Sequence, residues 1–154
     1  MGLRIHERFR IDTAAAERAL RENALTVKGK GGKVRTVPIE DERILMMLKR
    51  VLAQTERGHK LLVPDGMPTD RSINALELFI YRHRNEISDE GSDRRLTFHG
   101  LRHTYAAEKY TRLTEGGMSA IDAHYAVSRL LGHERADVTN IYLASVRKRG
   151  RDGE

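Results

Sequence analysis

The chain has 154 residues, 28 of them lysine or arginine and 22 aspartate or glutamate, and its formal net charge is +6. That length suits one domain but not two full ones, and the charge favours a polyanionic partner, nucleic acid first and an anionic membrane surface second. Cysteine is absent and no apolar run approaches about 20 residues, which excludes disulfides, thiolate metal sites and a membrane-spanning helix and predicts a soluble cytoplasmic protein.

The first predicted elements are two short helices. Residues 3–11 are typical of a helix that is already under way at its first residue. Because a helix normally begins with a capping residue and a lead-in, we expect this chain to be cut from something longer. Asp12 and Thr13 can cap a helical turn over residues 14–18.

A β-hairpin is predicted next. Alternating apolar residues in 24–28 and 33–39 flank a glycine-rich turn at 29–32, and this pattern is typical of two antiparallel strands. The second strand is predicted to carry on its two faces Val34, Thr36 and Pro38, and Arg35, Val37 and Ile39.

The remainder of the chain is predicted to be helical. Helices are predicted over 40–57, 68–87, 99–113, 119–131 and from Asp137 through Tyr142. The connections are predicted to be Gly58, an extended piece at 61–64, a polar loop at 88–95, and a break at Gly116 and Gly117. We predict that Ile73, Leu76, Phe79 and Ile80 share the buried face of their helix. The fold class is therefore α+β, mainly α-helical with a small antiparallel sheet near the N-terminus.

Two arginines in separate predicted helices are candidates for binding a phosphate. A guanidinium stays charged and donates hydrogen bonds in a fork, which suits the non-bridging oxygens of a phosphodiester under attack. Arg4 and Arg102 could supply such groups, although either arginine alone is more simply a surface salt bridge. Lys30, in the glycine-rich turn, could protonate a leaving 5′ oxygen. Its neighbours Lys28 and Lys33 leave the choice of lysine open.

His99 lies one helical step from Arg102, so the two share a helix face. A histidine at this position can accept a nucleophile's proton or bind a phosphate oxygen. His99 and His103 also have the spacing of a zinc site, but the zincin pattern requires glutamate where Gly100 stands. Zinc hydrolysis is therefore the lesser alternative, and His103 is expected to be a packed or capping histidine.

Tyr142 is the candidate nucleophile, with His133 upstream in a preceding loop. A tyrosine has a high pKa and needs nearby cations or a base before it can attack. The sequence alone also allows Tyr142 to be an ordinary core or surface residue. The other tyrosines do not follow a histidine motif of this kind.

Together these residues resemble the tyrosine recombinase family, also called the phage integrase family, over nearly the whole chain. The stretches that carry the resemblance are Gly2-Leu3-Arg4-Ile5-His6-Glu7, Lys30-Gly31-Gly32-Lys33-Val34-Arg35-Thr36-Val37-Pro38, His99-Gly100-Leu101-Arg102-His103-Thr104, and Leu130-Leu131-Gly132-His133 followed by Thr139 and Tyr142. Four stretches in the same order as in the family make coincidence improbable.

The resemblance implies the tyrosine recombinase catalytic-domain fold over 1–146, followed by a polar, disordered tail at 147–154. It implies cutting and rejoining of double-stranded DNA through a 3′-phosphotyrosyl intermediate, with no metal or other cofactor. The implied catalytic residues are Arg4, Lys30, His99, Arg102, His133 and Tyr142, the supporting residues are Glu7 and His103, and the implied DNA contacts are Lys28, Lys33 and Arg35.

The resemblance also implies partners and leaves alternatives. Relatives act as tetramers on DNA, so other recombinase protomers are expected partners, while this chain alone could be monomeric. Relatives usually carry an N-terminal DNA-gripping domain, which we expect this chain to lack. A phage or mobile element is the expected source. The alternatives are a catalytically inactive DNA-binding remnant of an integrase, a type IB topoisomerase, and a zinc hydrolase.

Overall fold

The computed structural model describes residues 1–87, 96–133, 139, 140 and 143. Its elements are α1 (Ile5–Arg8), α2 (Thr13–Glu22), β1 (Ala24–Lys28), β2 (Val34–Pro38), α3 (Glu42–Leu52), α4 (Thr69–Ile87), α5 (Phe98–Glu115) and α6 (Ala120–Leu131). The predicted α+β class, mainly helical with one small N-terminal sheet, is confirmed. None of these described helices combines the length and apolar character required to span a bilayer.

The chain divides into two compact units. The first contains Met1 and Leu3–Phe98, and the second contains Gly2 and the described residues from His99 onward. The segments predicted at 88–95, around Asp137 and Tyr142, and in the tail 147–154 lie outside the described residues.

The sheet of the first unit is the predicted hairpin. β1 and β2 pair antiparallel, with Leu25 opposite Val37 and Val27 opposite Arg35. The predicted faces are confirmed, because Val37 and Ile39 are buried, whereas the alternate positions Val34, Thr36 and Pro38 are exposed. α2 packs on β1 and α3 packs on α2. The core residues of this unit are Leu3, Ile11, Ala16, Ala19, Leu25, Val27, Val37 and Ile39.

The two N-terminal helices differ in length from their predictions. α1 is a single turn rather than a helix over 3–11, and Arg4 is its N-cap with extended backbone angles of φ −67° and ψ 152°. Asp12 caps α2 as predicted by accepting a hydrogen bond from the Ala15 amide at 2.8 Å. α2 continues to Glu22, beyond the predicted residue 18, because its buried alanines pack in the core.

The end of α3 and the segment that follows it were predicted wrongly. α3 ends at Leu52, where the Gln54 and Thr55 amides donate to the Val51 and Leu52 carbonyls at 3.1 Å and 3.2 Å, three residues back instead of four. Gly58 therefore does not end it. Residues 61–64 form turns rather than an extended piece, and the extended pairing falls on Lys60, in an isolated bridge with Asp12.

α4 begins and ends close to its predicted bounds, at Thr69 and Ile87. Ile73 and Ile80 are buried as predicted, but Phe79 is 55% exposed. At about 100° per residue, positions 73 and 80 nearly superpose on the helix surface, whereas position 79 lies well to one side. Phe79 instead packs against the His83 ring, with the ring centroids 4.5 Å apart.

The second unit contains most of α5 and all of α6. The predicted break after α5 is confirmed by a turn at Gly116 and Gly117, and Ser119 caps α6 by accepting from the Asp122 amide at 3.1 Å. The core of this unit consists of Ala106, Val127, Leu131 and Leu143, with Tyr105, Tyr110 and Leu113 packed against it.

Candidate active site

The first group of predicted site residues is an ion-pair cluster in the first unit. Glu7, 4% exposed, accepts hydrogen bonds from the Arg4 amide at 2.7 Å and from Arg4 Nη1 at 3.1 Å. Arg35, on β2, donates Nη1 and Nη2 to the two Glu7 carboxylate oxygens at 2.6 Å and 2.8 Å. Arg35, 28 residues away in sequence, is therefore brought into direct contact with the Glu7 carboxylate that also binds Arg4.

Two opposing effects act on the Glu7 carboxyl group. Burial raises its pKa because the charged form is desolvated, but the hydrogen bonds and positive charges of Arg35 and Arg4 outweigh this and lower the pKa below its ordinary value of 4.5. Glu7 is therefore an ionised carboxylate at neutral pH. It cannot act as a proton donor there and serves instead to hold the two arginines.

The hairpin turn lies directly against this cluster. A Cβ atom at Gly29 would lie 3.4 Å from Glu7 Oε1 and 3.6 Å from an Nη1 atom of both Arg4 and Arg35. The Gly29 amide donates to the Lys33 carbonyl at 2.7 Å, and the two following glycines have positive φ angles, which glycine adopts without strain. The backbone of Lys30 lies in this turn, and the side chains of Lys28 and Lys33 are exposed.

The second group is centred on Arg102 in the second unit. Arg102 is only 3% exposed. Its Nη1 donates to the Gly2 carbonyl, and its Nη2 donates to the Leu131 carbonyl at 2.6 Å and lies 3.3 Å from His133 Nε2. The Leu131 carbonyl is at the end of α6, where helix carbonyls lack intrahelical partners and a cation is favourable.

His133 is positioned by the end of α6. Gly132 adopts a left-handed conformation (φ 66°, ψ 43°), and the His133 amide donates back to the Ser128 carbonyl at 3.1 Å, as in a Schellman cap. His133 Nδ1 lies 2.9 Å from the hydroxyl of Thr139, which is fully buried. A guanidinium can only donate hydrogen bonds, so His133 Nε2 accepts from Arg102. The proton of the imidazole ring is therefore on Nδ1, which donates a hydrogen bond to the Thr139 hydroxyl.

The two α5 histidines form a separate pair. His99 is exposed and His103 is partly buried, and their rings meet edge-on with centroids 4.9 Å apart. In the part of the chain that the structure describes, three potential metal ligands come together at Glu56, His59 and Asp65, a group that includes neither α5 histidine.

The predicted nucleophile, Tyr142, lies outside the described residues, as does the side chain of Lys30. Five of the remaining predicted residues lie in two contacting sets. Arg4, Glu7 and Arg35 are in contact in the first unit, and Arg102 and His133 are in contact in the second.

Comparison with known proteins decides the family. The model of the phage integrase family matches residues 1–149. The chain belongs to the phage integrase family. It is 29% identical over 130 residues to the tyrosine recombinase XerD of Pseudomonas putida. This match covers 80% of this chain and 39% of that protein. The family predicted from the four sequence stretches is thereby confirmed.

The fold comparison agrees. The crystal structure of XerA recombinase superposes with a TM-score of 0.66 at 21% identity, over 99% of this chain and 54% of that one. The chain thus spans about two fifths of XerD and about half of XerA. The predicted recombinase catalytic-domain fold is confirmed.

Sequence reasoning on this integrase-family chain missed two features of the site. Thr139 was noticed only as part of a family stretch, although its buried hydroxyl contacts His133. Arg35 was predicted only as a DNA contact, although both terminal nitrogens of its guanidinium donate to Glu7. The alternation of β2 could have indicated the second feature, because it places Arg35 on the same face as buried Val37.

Proposed function

We propose that this integrase-family chain is the catalytic domain, over residues 1–146, of a site-specific DNA recombinase. It cuts and rejoins double-stranded DNA through a 3′-phosphotyrosyl intermediate. The observation that carries the proposal is the extent of the family match, residues 1–149, which includes every candidate from Arg4 to Tyr142.

In the proposed step, the Tyr142 oxygen bonds to phosphorus as the bond from phosphorus to the 5′ oxygen breaks. The tyrosine proton passes to a base, and a second proton is delivered to the departing 5′ oxygen. The products are a 3′-phosphotyrosyl ester and a free 5′ hydroxyl. Attack by the 5′ hydroxyl of another strand reverses the step. The phosphotyrosyl ester keeps the energy of the broken bond, so the exchange consumes no nucleoside triphosphate.

The positive charge for this reaction comes from Arg4 and Arg102. The Arg4 side chain is 36% exposed, so it can reach a phosphate while Glu7 holds its amide and one Nη1. The guanidinium of Arg102 is fixed by carbonyl groups, and a donor that is already oriented needs little reorganisation when charge develops on the phosphate. These two fixed cations can stabilise the transition state without a metal.

Proton transfer is assigned to His99 and Lys30, and His133 is assigned to the phosphate. His99 is exposed at the start of α5 and accepts the tyrosine proton, while His133 accepts a hydrogen bond from Arg102 and supports the phosphate through that guanidinium. Lys30 donates to the leaving oxygen, and its place in a glycine turn suits entry into a DNA groove. A lysine partly desolvated against DNA can act as an acid at neutral pH.

The proposed partners are double-stranded DNA and other recombinase protomers assembled on it as a tetramer. The exposed side chains of Lys28 and Lys33 flank the hairpin turn, and contacts from such lysines to phosphates make DNA binding salt-dependent. Each lysine that contacts a phosphate is expected to contribute about one unit to the salt slope.

The deciding experiment is a search for the covalent adduct. The chain is incubated with supercoiled plasmid in EDTA, quenched with SDS and digested, and nucleotide-modified peptides are identified by mass spectrometry. We expect modification at Tyr142 in the wild type and none in Tyr142→Phe, which should bind DNA as tightly as the wild type because only a hydroxyl is removed.

Tyr81→Phe is the matched control, because Tyr81 is 61% exposed on α4 and loses the same hydroxyl. This control should still form the adduct. An adduct that persists in Tyr142→Phe would contradict the nucleophile assignment. A wild-type chain that binds DNA without forming any adduct would contradict the proposed activity and favour the inactive remnant.

A further inference from the structure

Both terminal nitrogens of the Arg35 guanidinium donate to Glu7. The Arg35 side chain is 12% exposed, and on β2 it alternates with the exposed residues Val34 and Thr36. The guanidinium makes a two-pronged ion pair with Glu7 at 2.6 Å and 2.8 Å. Paired hydrogen bonds of this kind fix both partners in orientation as well as in distance.

The Glu7 carboxylate is shared evenly between two arginines. Its Oε1 accepts from Arg35 Nη1 and Arg4 Nη1, and its Oε2 accepts from Arg35 Nη2 and the Arg4 amide. A carboxylate has about four acceptor sites, so these hydrogen bonds fill its capacity. The plane of the carboxylate, and with it the position of Arg4, is set by Arg35.

The charges of the cluster give Arg35 a second effect. Two arginines and one glutamate carry a net charge of 2 − 1 = +1. Without Arg35, the pair of Arg4 and Glu7 would be neutral, and the Arg4 guanidinium would be drawn toward the carboxylate. A phosphate would then meet a neutral pair in place of a net cation.

We infer that Arg35 is a positioning residue that acts through Glu7: it fixes Arg4 and keeps the cluster of the three side chains positively charged for the scissile phosphate. The inference rests on the proposed function, because it requires Arg4 to bind that phosphate. Arg35 also joins β2 to α1, and the turn that contains Lys30 packs on the same cluster through Gly29.

The first test does not depend on catalysis. The titration of the Glu7 carboxyl group is followed by carbon-13 NMR in the wild type, Arg35→Gln and Arg43→Gln. Arg43 is the matched control, because it forms an exposed pair with Asp41 and its loss removes the same charge away from the cluster. We expect the pKa of Glu7 to rise in Arg35→Gln and to stay unchanged in Arg43→Gln. An unchanged pKa in Arg35→Gln overturns the inference.

The second test measures single-turnover adduct formation at saturating DNA and the salt dependence of DNA binding. Misplacing a catalytic group by about 1 Å can cost about 100-fold in rate, so Arg35→Gln should be slowed on that order, and the salt slope should fall by about one because the cluster becomes neutral. If Arg35 instead contacted DNA, the salt slope would also fall by about one, but the rate at saturation would hold. That result overturns the inference.

A double variant and a conservative variant separate positioning from general damage. If Arg35 acts through Glu7, Glu7→Gln with Arg35→Gln should be no slower than the slower single variant, whereas additive losses would contradict the inference. Arg35→Lys keeps the charge without the fork and should recover part of the rate. If the wild type forms no adduct, the proposed function fails, yet the Glu7 titration still decides whether Arg35 holds Glu7.

Discussion

Replacing Glu7 with glutamine removes the anion at the centre of the first cluster while preserving the size of the side chain. The carboxylate accepts hydrogen bonds at both oxygens from Arg35 and Arg4. Glutamine has one carbonyl oxygen and an amide group that only donates. One side of the cluster would therefore place an N–H group against arginine or backbone donors.

The loss of stability can be worked out from these contacts. At least two hydrogen bonds to a charged group are lost, each worth about 1.5–3 kcal/mol. Removing one partner of a buried ion pair costs about 3–5 kcal/mol. The Arg4 side chain is 36% exposed, so water compensates part of the interaction that it loses with Glu7. We therefore expect Glu7→Gln to lower the free energy of unfolding by roughly 3 kcal/mol at neutral pH.

The pH dependence supplies a second check. The pKa of Glu7 in the folded chain lies below its ordinary value of 4.5. The stability contributed by its charge is therefore present above pH 4.5 and is lost as the pH falls through the lowered pKa. Urea unfolding followed by circular dichroism should show a large gap between wild type and Glu7→Gln at neutral pH and a smaller gap in acid.

Glu17→Gln is the matched control, because Glu17 is exposed on α2 and its change should stay within about 0.5 kcal/mol. A Glu7→Gln variant no less stable than Glu17→Gln would refute the account of a buried, shared carboxylate. A gap of equal size at neutral and acid pH would show that the loss comes from packing rather than charge.

Three further changes test the local devices that position the site. Asp12→Ala removes the cap of α2 and should lower the free energy of unfolding in urea by about 1 kcal/mol. Gly132→Ala places a side chain at a φ of 66°, which should cost about 1–2 kcal/mol, with Gly132→Asn less affected in the same assay. Thr139→Val removes the buried partner of His133 Nδ1. It should change the tautomer signals of His133 in nitrogen-15 NMR and slow adduct formation about tenfold while leaving DNA affinity intact, and unchanged ring signals would contradict the assigned tautomer.

The parts of the fold that sequence predicted are those specified by neighbouring residues. Asp12 and Ser119 were identified as caps because a side-chain oxygen satisfies an amide only three residues away. The hairpin faces followed from the two-residue period of a strand, which needs no knowledge of what lies opposite. The end of α3 was missed because the backbone tightens into hydrogen bonds three residues apart just after Leu52, before the more conspicuous Gly58.

The site was predictable as a set of residues but not as a set of contacts. The pairing of Arg35 with Glu7 joins residues far apart in sequence, and no local signal states that a strand arginine and a helix glutamate will meet. The same holds for Arg102, whose guanidinium donates to the backbone carbonyls of Gly2 and Leu131. Carbonyl groups are present at every residue, so only the folded chain shows which ones serve as anchors.

The two arginines proposed to bind the phosphate are held by different chemistry, and this difference explains the need for Arg35. Arg102 donates to neutral carbonyls, and these carbonyls do not cancel its positive charge. Arg4 is anchored by the ionised Glu7, which would cancel that charge if the pair stood alone. A second arginine on the same carboxylate restores the balance, since it satisfies the remaining acceptor sites and leaves one net positive charge. An arginine that is held by an ionised carboxylate therefore needs a second cation nearby if the site is to stay positively charged. An arginine that is held by carbonyl groups does not.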